Sequence, residues 1–129
     1  MSEKTVKVGL VGFGTVGCGV AKLLLDRADA IEAKTGVRLE LACVVDKDTT
    51  SPRPVELPEG VLTDDIDALL KDESISIGLE LIGGTTAAKQ IQLDMLKAGK
   101  HVVTANKALL AEHGSEIYQV AAENGVCVA

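Results

Sequence analysis

Gly12, Gly14 and Gly17 stand in the spacing G-x-G-x-x-G, directly after a β-branched run, Val6 to Val11, and directly before a stretch of helical periodicity. Glycines so placed bring a backbone close to a phosphate. Gly12 permits the tight turn out of a strand, Gly14 leaves room for a pyrophosphate to approach, and Gly17 lets the following helix pack closely on a sheet. The first N–H groups of that helix, with its positive dipole end, then face the anion. Glycine is common in this chain, 13 residues of 129, so the spacing alone carries little. The strand-turn-helix setting gives it weight; the competing reading is a tight turn that holds no ligand.

Three further groups of residues can do chemistry beside such a turn. Asp46 ends the apolar run Leu41 to Val45 and is placed to accept hydrogen bonds from ribose hydroxyls. It lies further from the glycines than the usual interval of roughly twenty residues, because the first helix and its loop are long. A carboxylate there favours NAD and repels a ribose 2′-phosphate, whereas Lys47 and Arg53 could accept that phosphate instead, which leaves NAD or NADP open with a lean towards NAD. A plain solvated turn is the bland alternative for Asp46. Glu80 to Thr85 (ELIGGT) puts Gly83 and Gly84 where a backbone passes close to the nicotinamide half of such a cofactor, with Thr85 as a hydrogen-bond donor; alternatively Thr85 sits near the cap of the next helix. Thr104 to Lys107 (TANK) sets a lysine just past a strand end, where it can hold a carboxylate or phosphate or polarise a carbonyl. His101 and His113 have no partner at ligand or triad spacing and are assigned no chemistry.

The elements that must position these groups are legible from periodicity. Strands are expected at Val6–Val11, Arg38–Val45, Ile75–Ile82 and His101–Thr104, with the start of another at Val126–Ala129. Helices are expected at Thr15–Thr35, from Thr63 as N-cap to Lys71, at Thr86–Ala98, and from Asn106 to Asn124 with an interruption at Gly114. Pro52, Pro54 and Pro58 make Lys47–Gly60 a surface loop. Strands alternating with helices predict βαβ units in one α/β domain, residues 1–129: a doubly wound parallel sheet in three layers, α/β/α, of the Rossmann type. The run Val126–Ala129 stops inside an apolar strand, which reads as a cut.

Composition excludes several classes. A net charge of −6 and 2% aromatic residues argue against nucleic acid, whose recognition needs basic surface and stacking rings. The apolar N-terminal run is too short for a membrane span, so no membrane partner is expected. Cys18, Cys43 and Cys127 form no metal or disulfide pattern and read as small hydrophobes in a reducing, cytoplasmic setting.

Across essentially its whole length the chain resembles homoserine dehydrogenase. The resemblance is carried by Val8–Leu24 (VGLVGFGTVGCGVAKLL), Glu80–Gly84 (ELIGG) and above all Ala98–Gly114 (AGKHVVTANKALLAEHG), with weaker support from IEAKTGVRLE and LPEGVLTDD. It implies interconversion of aspartate 4-semialdehyde and homoserine, a small-molecule substrate, with NADH or NADPH, in a full-length enzyme that is a homo-oligomer. It implies that Phe13, Thr15 and Val16 line the cofactor site beside the glycines. Thr104 and Lys107 would face the nicotinamide end, with Lys107 contacting cofactor or substrate. The substrate domain, proton donor, substrate ligands and monovalent-cation site of that family are expected beyond Ala129. Gly78 departs from it: the family more often has a β-branched residue there, and a local weakening of the strand is expected. Two rival readings are a free-standing dinucleotide-binding or redox-sensing module without catalysis and another NAD(P)-dependent dehydrogenase; the TANK segment speaks against the second.

Overall fold

The computed structural model describes residues 4–129. The strands β1 (Lys4–Val11), β2 (Val37–Val45), β3 (Leu62–Thr63), β4 (Ile75–Glu80) and β5 (His101–Thr104) form one sheet in the order β3-β2-β1-β4-β5, and every pairing is parallel. The order reverses between β1 and β4, so the crevice beyond the carboxyl ends of those two strands is the topological switch point.

Alternation along β1 shows how the two layers of helices are held. Val8 and Leu10 point to one face and pack with Cys18, Ala21 and Leu24 of α1 (Thr15–Asp26). Gly9 and Val11 point to the other, towards α4 (Ala87–Lys97) and α5 (Lys107–Glu123), where Leu69, Met95, Leu96, Leu109 and Ile117 close a second core. These two apolar cores on opposite faces make the expected three-layer, doubly wound arrangement. Among the described residues no helix is long and apolar enough to cross a membrane.

Several expectations are corrected. The predicted helix Thr15–Thr35 is two helices: α1 ends and α2 (Ala28–Thr35) begins at Arg27, whose φ of −112° and ψ of 16° leave the helical path. The predicted helix after Thr63 shrinks to one turn, α3 (Asp67–Leu70), because Leu62 and Thr63 are drawn into the sheet as β3 beside Val44 and Val45. Thr63 caps nothing helical; its hydroxyl accepts from the Asp65 amide. Strand β4 stops at Glu80, two residues early. The interruption expected at Gly114 falls at His113. Val126–Ala129, expected as the start of a strand, runs beside β5 with one isolated bridge, Val128 to Val102; its backbone exchanges hydrogen bonds with Val102 and Thr104, and His101 Nδ1 accepts from the Cys127 amide. At the opposite, amino-terminal end of the sheet, Lys100 is buried and its ammonium donates to the Asp72 and Ile75 carbonyls; burial pushes its pKa down.

Gly78 is not a weak point. A Cβ built there would overlap the Met95 sulfur, so the glycine is what lets α4 lie close on β4. Gly78→Val should therefore destabilise the fold by about 2 kcal/mol through overpacking. Met95→Ala alone costs about 2–3 kcal/mol as a cavity. Thermal melts of the two single variants and the double variant should show the pair costing clearly less than the sum. Strict additivity would contradict the contact.

Candidate cofactor site

The chain leaves β1 at Val11 and turns through Gly12 into α1. Gly12 has a φ of +102°, a conformation open to glycine, and a Cβ there would meet Ile82 and Leu81 at 2.8 and 2.9 Å. Its amide donates to the Val45 carbonyl, which ties the turn to β2. A Cβ on Gly17 would run into the Gly12 carbonyl oxygen, so both glycines are required by the protein itself. Gly14 differs. Apart from its chain neighbours, no described residue comes within 4 Å of where its Cβ would be, and its φ of −86° suits any residue. The fold does not need a glycine at 14, and the space beside it stays open. α1 has neither a side-chain N-cap nor an acidic residue in its first turn, so its positive end is left for an external anion. These features fit a dinucleotide pyrophosphate.

At the β2 end, Asp46 is tied into the turn. Its Oδ2 accepts from the Phe13 amide at 2.7 Å, and its Oδ1 accepts from the Asp48 amide at 2.9 Å with Arg53 Nη2 at 3.5 Å. A carboxylate has about four acceptor positions, and the side chain is 23% exposed, so room remains for a ribose hydroxyl. The guanidinium of Arg53 lies 4.7 Å from the Phe13 ring centroid, its Nε donates to the Phe13 carbonyl, and its other nitrogens reach the Ser51 and Asp48 carbonyls. Asp48 braces this loop: donors from Ser51, then Thr50, hold its carboxyl well below the usual carboxylate range.

The placements of Phe13 and Lys47 differ from expectation. Phe13 is buried in the α1-side core under Arg53, and its amide and carbonyl are engaged by Asp46 and Arg53, so it shapes the turn and does not present its ring to a cofactor. Lys47 is exposed, and the basic group gathered beside Asp46 is Arg53. A cavity of about 370 Å³ lies here, lined by Phe13, Gly14, Thr15, Arg53 and Val55 among others.

The other end of the switch point is built from the exits of β4 and β5. A second cavity, about 350 Å³, brings Val16, Gly83 and Lys107 together with Glu80 and Asn106. Gly83 and Gly84 both have φ near +74°, the left-handed region that glycine tolerates. Lys107 is the exposed first residue of α5, whose N-cap is Asn106: the Asn106 side chain accepts from the Leu109 amide at 3.1 Å. Thr85 sits next to the α4 cap position, Thr86, which makes no side-chain hydrogen bond. Thr104 is at the rim, but its hydroxyl is engaged within the protein, donating to Glu80 and accepting from the Asn106 amide.

Sequence reasoning passed over Glu80 and Asn106 as individual residues. The available signal for Glu80 was a lone acid at the end of an apolar strand, which must find partners once buried. Val16 and Ile82 are exposed apolar residues on the rim.

A glycine turn between strand and helix at the switch point of a parallel sheet defines a dinucleotide-binding domain of the Rossmann class. The family model for the NAD-binding domain of homoserine dehydrogenase matches residues 12–129, and the chain belongs to that family. The homoserine dehydrogenase of Bacillus subtilis is 42% identical over 122 residues, 95% of this chain and 28% of that protein. That of Pseudomonas aeruginosa is 42% identical over 127 residues, 98% of this chain and 29% of the relative. Among solved structures, Staphylococcus aureus homoserine dehydrogenase superposes with a TM-score of 0.89 at 33% identity, covering 98% of this chain and 32% of that one. The Thiobacillus denitrificans enzyme does so with a TM-score of 0.87 at 35% identity, covering 98% and 29%. The chain thus spans less than a third of the length of these relatives.

Proposed function

We propose that this chain is the cofactor half of an enzyme that interconverts aspartate 4-semialdehyde and homoserine, with NAD(H) preferred over NADP(H). The observation that carries the reading is convergence. The Asp46 carboxylate, the open face of Gly14 and the Gly83–Lys107 cavity follow one another along one edge of the sheet, in the order that an extended dinucleotide needs. Asp46 supports NAD, since it offers acceptors where a 2′-phosphate would add negative charge, and most of Arg53's donors are taken by carbonyls.

In this reading the residues act as follows. The first amides of α1 and its positive end hold the pyrophosphate, and Asp46 accepts from ribose. The Gly83–Gly84 turn walls the nicotinamide end. Lys107 lies where an ammonium can attract the carboxylate or carbonyl oxygen of a bound substrate. A bound nicotinamide supplies or takes up the hydride. Substrate ligands and proton donor belong to a separate substrate domain, outside these 129 residues, in line with the coverage of the relatives. The longer protein would act as a homo-oligomer on a small molecule, in the cytoplasm, where the three unpaired cysteines suit a reducing setting.

The test is an assay of homoserine-dependent NADH formation. This chain alone should give no turnover above background, while a polypeptide that continues through a substrate domain should turn over. Clear turnover by the 129-residue chain alone would overturn the division of labour, and an inactive longer polypeptide would overturn the substrate.

A further inference from the structure

Glu80 has no role in the reading above, yet its carboxylate is 1% exposed at the last position of β4, beside the second cavity. Alternation directs Gly78 and Glu80 to the α4 face, where β5 sets Thr104 directly opposite Glu80 in the register. Glu80 Oε2 accepts from the Ile82 amide at 2.9 Å, and Oε1 accepts from Gln92 Nε2 at 2.8 Å and from the Thr104 hydroxyl at 2.9 Å. Thr104 in turn accepts from the Asn106 amide at 2.9 Å, and the Asn106 side-chain amide reaches back to the Gly84 carbonyl. The bonds close a ring. It joins the turn leaving β4 to the turn leaving β5, and the two turns face each other across the cavity that holds Lys107.

A buried carboxylate is retained only where it is well partnered. Here the surroundings are built for it. Gln92 is fully buried and leaves its own oxygen without a partner among the described residues, while its amide serves Glu80. An apolar side chain would fill this end of the core without such a cost. What it would not do is couple two turns.

We propose that Glu80 is a positioning residue for the nicotinamide end of the cofactor: by linking Ile82 to Thr104 it sets the spacing of the Gly83–Gly84 turn against Asn106 and Lys107. The inference rests on the cofactor reading above, and its test separates the two ends of the ligand. Glu80→Gln keeps the shape but turns one acceptor into a donor. Glu80→Asp keeps the charge and the short bond to the amide two residues on, but is too short to cross to Thr104.

Calorimetric titrations with NADH and with ADP-ribose, which lacks nicotinamide, read the outcome. Both variants should bind NADH about tenfold more weakly, as expected for a mis-set slot that forfeits a hydrogen bond or two. ADP-ribose affinity should stay within about twofold. Hydrogen exchange without ligand should quicken in residues 82–86 and 104–108 and stay unchanged in residues 12–18. Should neither variant fold, Thr104→Val opens the same ring at a half-buried position and must give the same exchange pattern. Equal weakening of both ligands, unchanged NADH binding, or unchanged exchange in the two turns would overturn the proposal. Wild-type chain that binds neither ligand would overturn the cofactor reading itself, and this proposal with it.

Discussion

Gly14→Ala should leave the fold intact and remove most of the affinity for NADH. Its chain neighbours aside, no atom of the described residues lies within 4 Å of the added methyl group, and the φ of −86° is ordinary for alanine. Alanine is a poorer N-cap than glycine, a cost of no more than about 1 kcal/mol, or roughly 3–5 °C in melting temperature. The methyl group would nevertheless stand where a pyrophosphate must approach the first amides of α1. Moving it away weakens hydrogen bonds to a charged group, worth about 2 kcal/mol, or roughly thirtyfold in Kd. Paired melts and titrations check both halves of the expectation. A large loss of stability would mean that the open space beside Gly14 is not there, and unchanged NADH affinity would mean that the ligand does not pass over it.

Gly17→Ala should do the reverse and damage the fold first. Its methyl group would collide with the Gly12 carbonyl oxygen, a backbone atom that cannot rotate aside as a side chain would. Gly12 has no room to retreat. Leu81 and Ile82 lie so close to its turn that even a Cβ on Gly12 would meet them, and its amide is held by the Val45 carbonyl. Separating α1 from β1 would disturb the packing of Cys18 and Ala21 against Val8 and Leu10. A cost of about 3 kcal/mol is expected, the upper part of the range for overpacking, which corresponds to roughly 10 °C in melting temperature. Binding should fall as well, because the first turn of α1 moves with the helix. A Gly17→Ala chain that melts like the wild type would contradict the close packing. Two glycines of one motif are thus expected to give opposite signatures, Gly14→Ala in binding and Gly17→Ala in stability.

Much of this was legible in the sequence because buried parallel strands read as apolar runs and glycine turns punctuate them. ISIGLE and HVVT fall on β4 and β5, and the G-x-G-x-x-G turn lies where strand and helix periodicity meet. What escaped depended on non-local contacts. Strand β3 is two residues just beyond the proline-bearing loop and exists only because β2 offers it a partner. The break at Arg27 is a change of backbone path within an apolar period that continues on both sides.

Asp46 was recognisable as a strand-end acid, but its bond to the Phe13 amide spans 33 residues, and nothing local announces it. Gly78 looked like a weak spot until Met95, 17 residues on, was found seated over it. The candidate site followed the same division. Its glycines, Thr104 and Lys107 stand out by type and spacing, whereas Glu80 takes its meaning from Gln92 and Thr104, which only the fold brings together.

The carboxyl edge of this sheet is expected to hold a nicotinamide dinucleotide. Calorimetric titration of the 129-residue chain with NADH, then with NADPH, at low and moderate salt tests it most directly. One NADH should bind saturably per chain, with NADPH weaker because an Asp46 carboxylate beside the ribose would repel a 2′-phosphate. Tighter binding of NADPH would move the ribose end from Asp46 to Arg53 and Lys47, and the absence of saturable binding of either nucleotide would contradict the claim.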